Sequence, residues 1–396
     1  MGISGGIAAY KIPELIRLLR KAGADVQVTT TKNALEFVTC LTLQTLSGHK
    51  VYSDVFAAIN EHSTEHISLP EWAELMIVAP ATANVLGKMA AGIADDALTT
   101  TFAAMRKPVV IAPAMNDKMY AAPATQEAVH VLSSRENITM LDCAEGPLAC
   151  GTIGKGRMQE VDVLLAAVEY ALSDKPLQGK QVLITAGPTH EAIDPVRYIS
   201  NASTGKMGYA LARACLRMGA EVTLVSGPTH ISMQAWEAFA PLHMVHVSSA
   251  QEMAEATTRE FAKADITILC AAVADFTPVE PAQQKIKKQP GQTSLTLQLS
   301  TTQDIAATLG GCKRDNRILV GFALETNNEV QNATHKMQSK HLDMIVLNSL
   351  QDAGAGFGTD TNQVTLLYPG GEQLSLPLAS KDKVATEIVK AVLRIK

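Results

Sequence analysis

Apolar residues recur at helical spacing from Ile7 to Lys21, at Ile12, Leu15, Ile16 and Leu19, and the run stops at Gly23, a residue suited to a left-handed helix end. Asp25–Thr29 then alternates like a strand. The runs Leu75–Ala79 and Val109–Ala112 read as buried strands, each leading to a loop that begins with proline or soon reaches one. Strand followed by helix, repeated, predicts a parallel sheet covered by helices on both faces. Residues 160–173 read as a closing amphipathic helix, and the polar stretch 173–180, with Pro176 and Gly179, marks a boundary. The expected domains are therefore 1–178 and 179–396.

Past the boundary the alternation restarts. Gln181–Thr185 reads as a strand, Gly205–Met218 as a helix, and Gly219–Leu224 as a turn and strand. Ile266–Cys270, Ile318–Phe322 and Met344–Leu347 are further strands. A hairpin is expected to turn at Pro369–Gly371, and a last helix to span Lys381–Arg394. The segments AGADVQV and MGAEVTL use one helix-stop-strand device in both halves, too short a likeness to establish duplication.

Candidate chemistry begins at the first helix. Ser4, Gly5, Gly6, Ile7 and Ala8 lie where small residues let an anion approach backbone N–H groups at a helix start. Taken alone, the segment serves equally well as a tight turn without a ligand. It lacks the spacing of a dinucleotide fingerprint. Pro80–Asn84, with Thr82, Ala83 and Asn84, follows one buried strand, and Pro113–Tyr120 follows the next. Ligands of open parallel sheets bind beyond the carboxyl ends of strands, where both segments fall. Asn116 offers amide donors for a carboxylate, with Met115 and Met119 as an apolar wall.

PATAN, PAMNDKMY and the glycine-rich LACGTIGKGRM resemble the signatures of flavin-dependent cysteine decarboxylases, with Tyr120 standing where the pattern has tryptophan. The resemblance implies a flavodoxin-like domain binding FMN, with Thr31 near the flavin phosphate. His66 would be the base, Asn116 the carboxylate grip and Cys150 the acid that protonates the intermediate. A carboxylate on a saturated carbon leaves poorly. In this family the flavin oxidises the thiol to a thioaldehyde, whose C=S group takes up the electrons as CO₂ departs, so that the cofactor carries the difficult step.

In the second half, TAGPT follows the first strand and leads to DPVRYISNASTGKMG, where Ser203 and Thr204 suit a helix cap. This is not a Walker A loop. CAAVADF ends another buried strand and is followed by Lys285, Lys287 and Lys288, while Lys336 and Lys340 stand four apart on one helix face. These lysines point to an anionic, phosphate-rich ligand without identifying it. The set resembles bacterial phosphopantothenate–cysteine ligases, which implies a Rossmann-like domain. There 4′-phosphopantothenate and L-cysteine would be joined at the expense of CTP, through an acyl-cytidylate. By that resemblance Lys285 stabilises charge at the reacting phosphate and Asn201 holds the phosphopantothenate or acyl-cytidylate. Ala271, Asp275, Phe322, Lys336 and Lys340 match CTP contacts, as do Gln303, Asp304, Ile305 and Ala306, although the proline common before the aspartate is glutamine here. Mg²⁺ is expected with the triphosphate, its protein ligands unassigned.

Composition narrows the alternatives. A net charge of −5 gives no basic footprint for nucleic acid. Six scattered cysteines without a CxxC pair argue against a zinc site or a disulfide framework. No apolar run or export signal suits a membrane, so a cytoplasmic enzyme is expected. A homo-oligomer, by family analogy a dodecamer, is the expected assembly. Two other readings stay open: a peptidyl-cysteine decarboxylase, and a flavin- and nucleotide-binding regulator. Only Met1–Ile3 precedes Ser4, where the flavoprotein family has a longer apolar strand, so the expectation is either that the true start lies upstream or that the chain as given binds FMN poorly while its ligase half still works.

Overall fold

The computed structural model describes residues 1–56, 65–148, 151–313, 316–325, 327–349, 356 and 358–395. The chain divides into two compact units. One comprises Met1–Ser173 with Gln234–Phe239, the other Asp174–Met233 with Ala240–Lys396. Among the described residues no helix is long and apolar enough to cross a membrane.

In the first unit β1 (Gly2–Ile3), β2 (Thr29–Thr30), β3 (Met76–Ala81), β4 (Val109–Pro113) and β5 (Ile138–Met140) form a parallel sheet in the order β2-β1-β3-β4-β5. That is the flavodoxin-like order, whose reversal between β1 and β3 opens a crevice at the strands' carboxyl ends. The helices are α1 (Ile12–Lys21), α2 (Cys40–Ser47), α3 (Glu65–Trp72), α4 (Ala83–Ala91), α5 (Ala97–Ala104), α6 (Asp117–Ala121), α7 (Pro123–Ser133) and α8 (Val161–Leu172). The predicted helix 7–21 is a 3₁₀ turn, Ile7–Lys11, running into α1. Pro13, which lacks the N–H that a helix interior needs, falls in the first turn of α1. The α1 stripe Ile12, Leu15, Ile16 and Leu19 is buried, as its spacing predicts, each side chain contributing about 1.5–3 kcal/mol. Outside the sheet, β6 (Ala144–Pro147) and β7 (Ile153–Arg157) form an antiparallel hairpin.

The second unit holds β8 (Gln181–Ala186), β9 (His190–Ala192), β10 (Tyr198–Ser200), α9 (Lys206–Arg217) and β11 (Glu221–Ser226). The short α10 (Gln234–Glu237) belongs to the first unit. There follow β12 (Leu242–His246), α11 (Ala250–Phe261), β13 (Ile266–Leu269), β14 (Phe276–Pro278), β15 (Leu299–Thr301), α12 (Ile305–Cys312) and β16 (Ile318–Glu325). The chain ends with α13 (Glu329–Ser339), β17 (Met344–Ser349), β18 (Thr361–Leu367), β19 (Gln373–Ser380) and α14 (Lys381–Val392). The main sheet runs β12-β11-β8-β13-β16-β17-β18-β19. Its first six strands are parallel in Rossmann order, with the reversal between β8 and β13, and the predicted hairpin β18–β19 extends the edge antiparallel.

The unit break falls a few residues before the expected 178/179. The polar stretch is packed, not free. Leu177 is buried and its N–H donates to the Met218 carbonyl at 2.9 Å, and Lys175 Nζ donates to the Arg217 carbonyl at 2.7 Å. These contacts place 174–180 with the second unit. Its proline and glycine mark a turn built onto the end of α9.

Candidate functional site

At the carboxyl edge of the first sheet, backbone bonds bring the chosen loops together. Ser4 N–H and Oγ both donate to the Pro80 carbonyl, at 3.2 and 2.7 Å, and Ser4 Oγ accepts from Thr82 N–H at 3.0 Å. Ser4 is fully buried, so its hydroxyl ties the loops and is not left for a ligand. Thr31 N–H donates to the Ile3 carbonyl at 3.0 Å. A Cβ on Gly5 would lie 2.5 Å from that of Asn33, so this approach requires glycine there, while one on Gly6 would lie 3.3 Å from Thr82 Cγ2, a tight contact. Ala114 N–H donates to the Ala81 carbonyl at 3.0 Å, which sets the Asn116 loop beside the Thr82–Asn84 turn.

This cradle fits a phosphate-bearing cofactor. The hydroxyls of Thr30 and Thr31 are buried without a hydrogen-bond partner among the described residues. Gly6, and Thr82 ahead of α4, open their helices without a side-chain cap. Free N–H groups at such starts attract an anion. Asn116 caps α6, its Oδ1 accepting from Lys118 N–H at 2.9 Å. His66 is half-buried in α3, a helix packed on α5. Cys150 lies outside the described residues.

The second unit contains a cleft of about 610 Å³. It is lined by Asn201, Ala271, Asp275, Phe322, Lys336 and Lys340, and by the run Gln303, Asp304, Ile305 and Ala306. These residues come from segments far apart in sequence, and short polar bonds hold them. Ala271 N–H donates to Thr185 Oγ1 at 3.2 Å, Ala274 N–H to Thr189 Oγ1 at 3.0 Å, and Ala272 N–H to the Gly187 carbonyl at 2.9 Å. The TAGPT turn thus serves as a mould for the end of β13. Asn201 Nδ2 donates to the carbonyls of Ala272 and Val273, at 3.1 and 3.0 Å. Gly208 lets α9 pack on β8, since a Cβ there would lie 2.5 Å from that of Ala186.

The two helix lysines each face a carboxylate. Lys336 Nζ pairs with Glu325 Oε1 at 2.6 Å, and Lys340 Nζ with Asp304 Oδ2 at 2.8 Å. Asp304 also caps α12 by accepting from Ala307 N–H at 2.9 Å. Burial pushes its carboxyl upward, but Lys340 and that N–H outweigh the burial and hold it below the ordinary range. Lys285 is exposed and does not line the cleft. Its loop is nonetheless anchored: Ile286 N–H donates to Asp194 Oδ2 at 3.1 Å, and Arg197 Nη2 to the Ile286 carbonyl at 2.9 Å. Asp194, buried, takes further bonds from the N–H groups of Val196 and Arg197 and from the Arg197 side chain. Arg197 above all holds its carboxyl well below the usual range.

Polar residues on the cleft wall that were not singled out from sequence as site residues include Lys206, Asn348, Asn362 and Lys381. Asn362 Nδ2 donates to Asn348 Oδ1 at 3.1 Å, and Lys206 pairs with Asp360 at 2.7 Å. Lys381 Nζ donates to the Gly356 carbonyl at 3.1 Å and to Thr359, and burial lowers its pKa. Lys206 was visible in GKMG. Asn362 and Lys381 sit in an edge hairpin and at a helix start, where nothing local marks them as lining a cleft. Among the described residues no cluster of three metal-ligating side chains forms.

Comparison with known proteins extends over both units. The Flavoprotein family matches residues 1–173, and the DNA/pantothenate metabolism flavoprotein C-terminal domain matches residues 177–395. The chain is 47% identical over 393 residues to the coenzyme A biosynthesis bifunctional protein CoaBC of Bacillus subtilis (strain 168), covering 98% of this chain and 95% of that protein. The Vibrio vulnificus (strain YJ016) protein of the same name is 45% identical, covering 99% and 96%. A cysteine/cysteine sulfinic acid decarboxylase from an unknown prokaryotic organism is 46% identical, covering 90% and 99%. Sharing nearly its full length with such relatives, the chain belongs to the family of coenzyme A biosynthesis bifunctional proteins.

Proposed function

We propose that the chain carries out two steps of coenzyme A biosynthesis, CTP-dependent joining of 4′-phosphopantothenate to L-cysteine and FMN-dependent decarboxylation of the product. The observation that carries this reading is full-length kinship with bifunctional relatives, together with the gathering of the distant ligase segments around one cleft. In the cleft the phosphopantothenate carboxylate attacks the α-phosphorus of CTP and pyrophosphate leaves. The cysteine amine then attacks the acyl carbon and CMP departs. Asn201 would hold the acyl part, and Ala271, Asp275, Phe322, Lys336, Lys340 and the start of α12 the nucleotide. Lys285 would reach the reacting phosphate from its anchored loop. Mg²⁺ would arrive with the triphosphate.

In the first unit, Gly5, Gly6, Thr31 and the Thr82–Asn84 turn would hold the FMN phosphate. FMN held there would supply the reversible two-electron oxidation that the decarboxylation needs. Asn116 would grip the carboxylate, His66 take the thiol-side proton, and Cys150 supply the proton after CO₂ leaves. Supplying phosphopantothenate, cysteine, CTP and Mg²⁺ to the FMN-loaded chain should yield 4′-phosphopantetheine, CO₂, CMP and pyrophosphate. Release of CO₂ from free cysteine or its sulfinate, with no product from phosphopantothenate and CTP, would replace this reading by the one that the sulfinate decarboxylase relative's name carries.

A further inference from the structure

The β6–β7 hairpin stands outside the five-stranded sheet and is largely exposed. A two-stranded ribbon is marginal alone, so its position depends on what ties it down. One tie is backbone to backbone. Met115 N–H donates to the Gly156 carbonyl at 2.9 Å, and a Cβ on Gly156 would lie 2.3 Å from the Met115 carbonyl oxygen. A Cβ on Gly154 would likewise lie 2.8 Å from Asp117 Cβ. The strand β7 therefore lies directly on the loop that carries Asn116.

The second tie is a side-chain cluster centred on Asp142. Its Oδ1 accepts from the Tyr120 hydroxyl at 2.7 Å and from Cys143 N–H at 2.9 Å, and its Oδ2 accepts from Lys155 Nζ. Tyr120 comes from α6, Asp142 from the approach to β6, and Lys155 from β7, so one carboxylate joins three segments. Lys155 Nζ also stands 6.0 Å from the centroid of the Tyr120 ring, within cation–π range. Tyr120 is itself buried. Both partners of the Lys155–Asp142 pair are about half exposed, so as an ion pair alone it adds little stability, and its consequence is geometric. Tyr120 is also the one departure in the PxMNxxMW pattern, and the residue that departs supplies the hydroxyl.

We propose that Tyr120, Asp142 and Lys155 form a latch that fixes the β6–β7 hairpin against the Asn116 loop, making them positioning residues for the decarboxylation. This rests on the decarboxylase reading above. The test uses the full-length, FMN-loaded chain with Tyr120→Phe, Asp142→Asn and the double variant. Amide hydrogen exchange in β6 and β7 should quicken about tenfold in each single variant, the effect of one lost hydrogen bond. The kcat/KM for phosphopantothenoylcysteine should fall roughly three- to tenfold, while FMN content and CTP-dependent ligation stay at parent values. Because the Tyr120 hydroxyl acts through its bond to Asp142, the double variant should lose no more than the Asp142→Asn single. Exchange and kcat/KM within about twofold of the parent in Tyr120→Phe would overturn the latch, as would losses that simply multiply in the double variant. A parent that never decarboxylates, with exchange still quickened by Tyr120→Phe, keeps the latch and removes its catalytic consequence, so the two failures are told apart.

Discussion

Both sheets place their candidate sites at the carboxyl edge beside the first strand, yet they secure them differently. In the second unit β8 is paired with β11 from Gln181 to Ala186 and with β13 from Val182 to Thr185. The turn after it, around Gly187, is thereby held on both sides. In the first unit β1 contributes only Gly2 and Ile3 to the ladder, and Ser4 makes up the difference by bonding across to Pro80 and Thr82. A cleft of about 470 Å³ opens beside Met1, between Asp25–Gln27 and Leu75–Met76. In both units hydroxyls at the sheet edge brace the loops, Ser4 in the first and Thr185 and Thr189 in the second.

The comparison breaks most readily at Lys285. Lys285→Gln should lower CTP-dependent ligation by about a hundredfold or more, as removal of a group facing developing charge does, and leave decarboxylation unchanged. A loss below about threefold would make Lys285 a solvated lysine, in keeping with its exposure here.

Asp194→Asn should cut ligation by roughly tenfold, by freeing the loop that Ile286 anchors. The carboxyl is depressed in the folded chain, so its stabilisation is present above about pH 4 and is lost as pH falls through the folded value. The variant should therefore lose stability at neutral pH and show a shallower acid decline. Urea midpoints measured from pH 7 downward check this, and parallel curves for parent and variant would sink it.

Packing gives smaller effects of opposite sign in the two units. Gly208→Ala forces a methyl against Ala186 and should destabilise the second unit by about 1–3 kcal/mol, read from its urea transition. Gly87, inside α4, has no atom within 4 Å of an added Cβ, and Gly87→Ala should stabilise the first unit by about 0.5–1 kcal/mol. If both variants shift the same transition alike, the units do not unfold as separate bodies.

Much of this was legible from residues alone. The alternation of strands and helices gave the fold class, and Gly23 and Gly219 take the left-handed φ that the helix-stop pattern requires, +95° and +91°. The segments AGADVQV and MGAEVTL diverge after that shared turn. Glu221–Ser226 joins the ladder throughout, whereas only Thr29–Thr30 does in the first unit. Alternation declares a strand, but hydrogen bonding needs a neighbour of matching length, which lies elsewhere in the chain. The antiparallel pairs β6–β7, β9–β10 and β14–β15 carry glycine, proline or mixed polarity and left no clear periodic signal.

The sequence by itself determined the two α/β bodies, their buried stripes, the glycine turns at the strand ends and the chemistry of the loops that follow them. These follow from short-range patterning, because helix and strand periods and backbone conformational limits act over a few residues. Only the tertiary structure decided that Ser4 braces loops, that Lys336 and Lys340 each meet a carboxylate, that Lys285 stays off the cleft wall while Ile286 is anchored, and that Tyr120 reaches Asp142. A side chain's partner is set by which strands lie adjacent and how closely glycine lets them approach, and that is fixed only when the whole sheet closes.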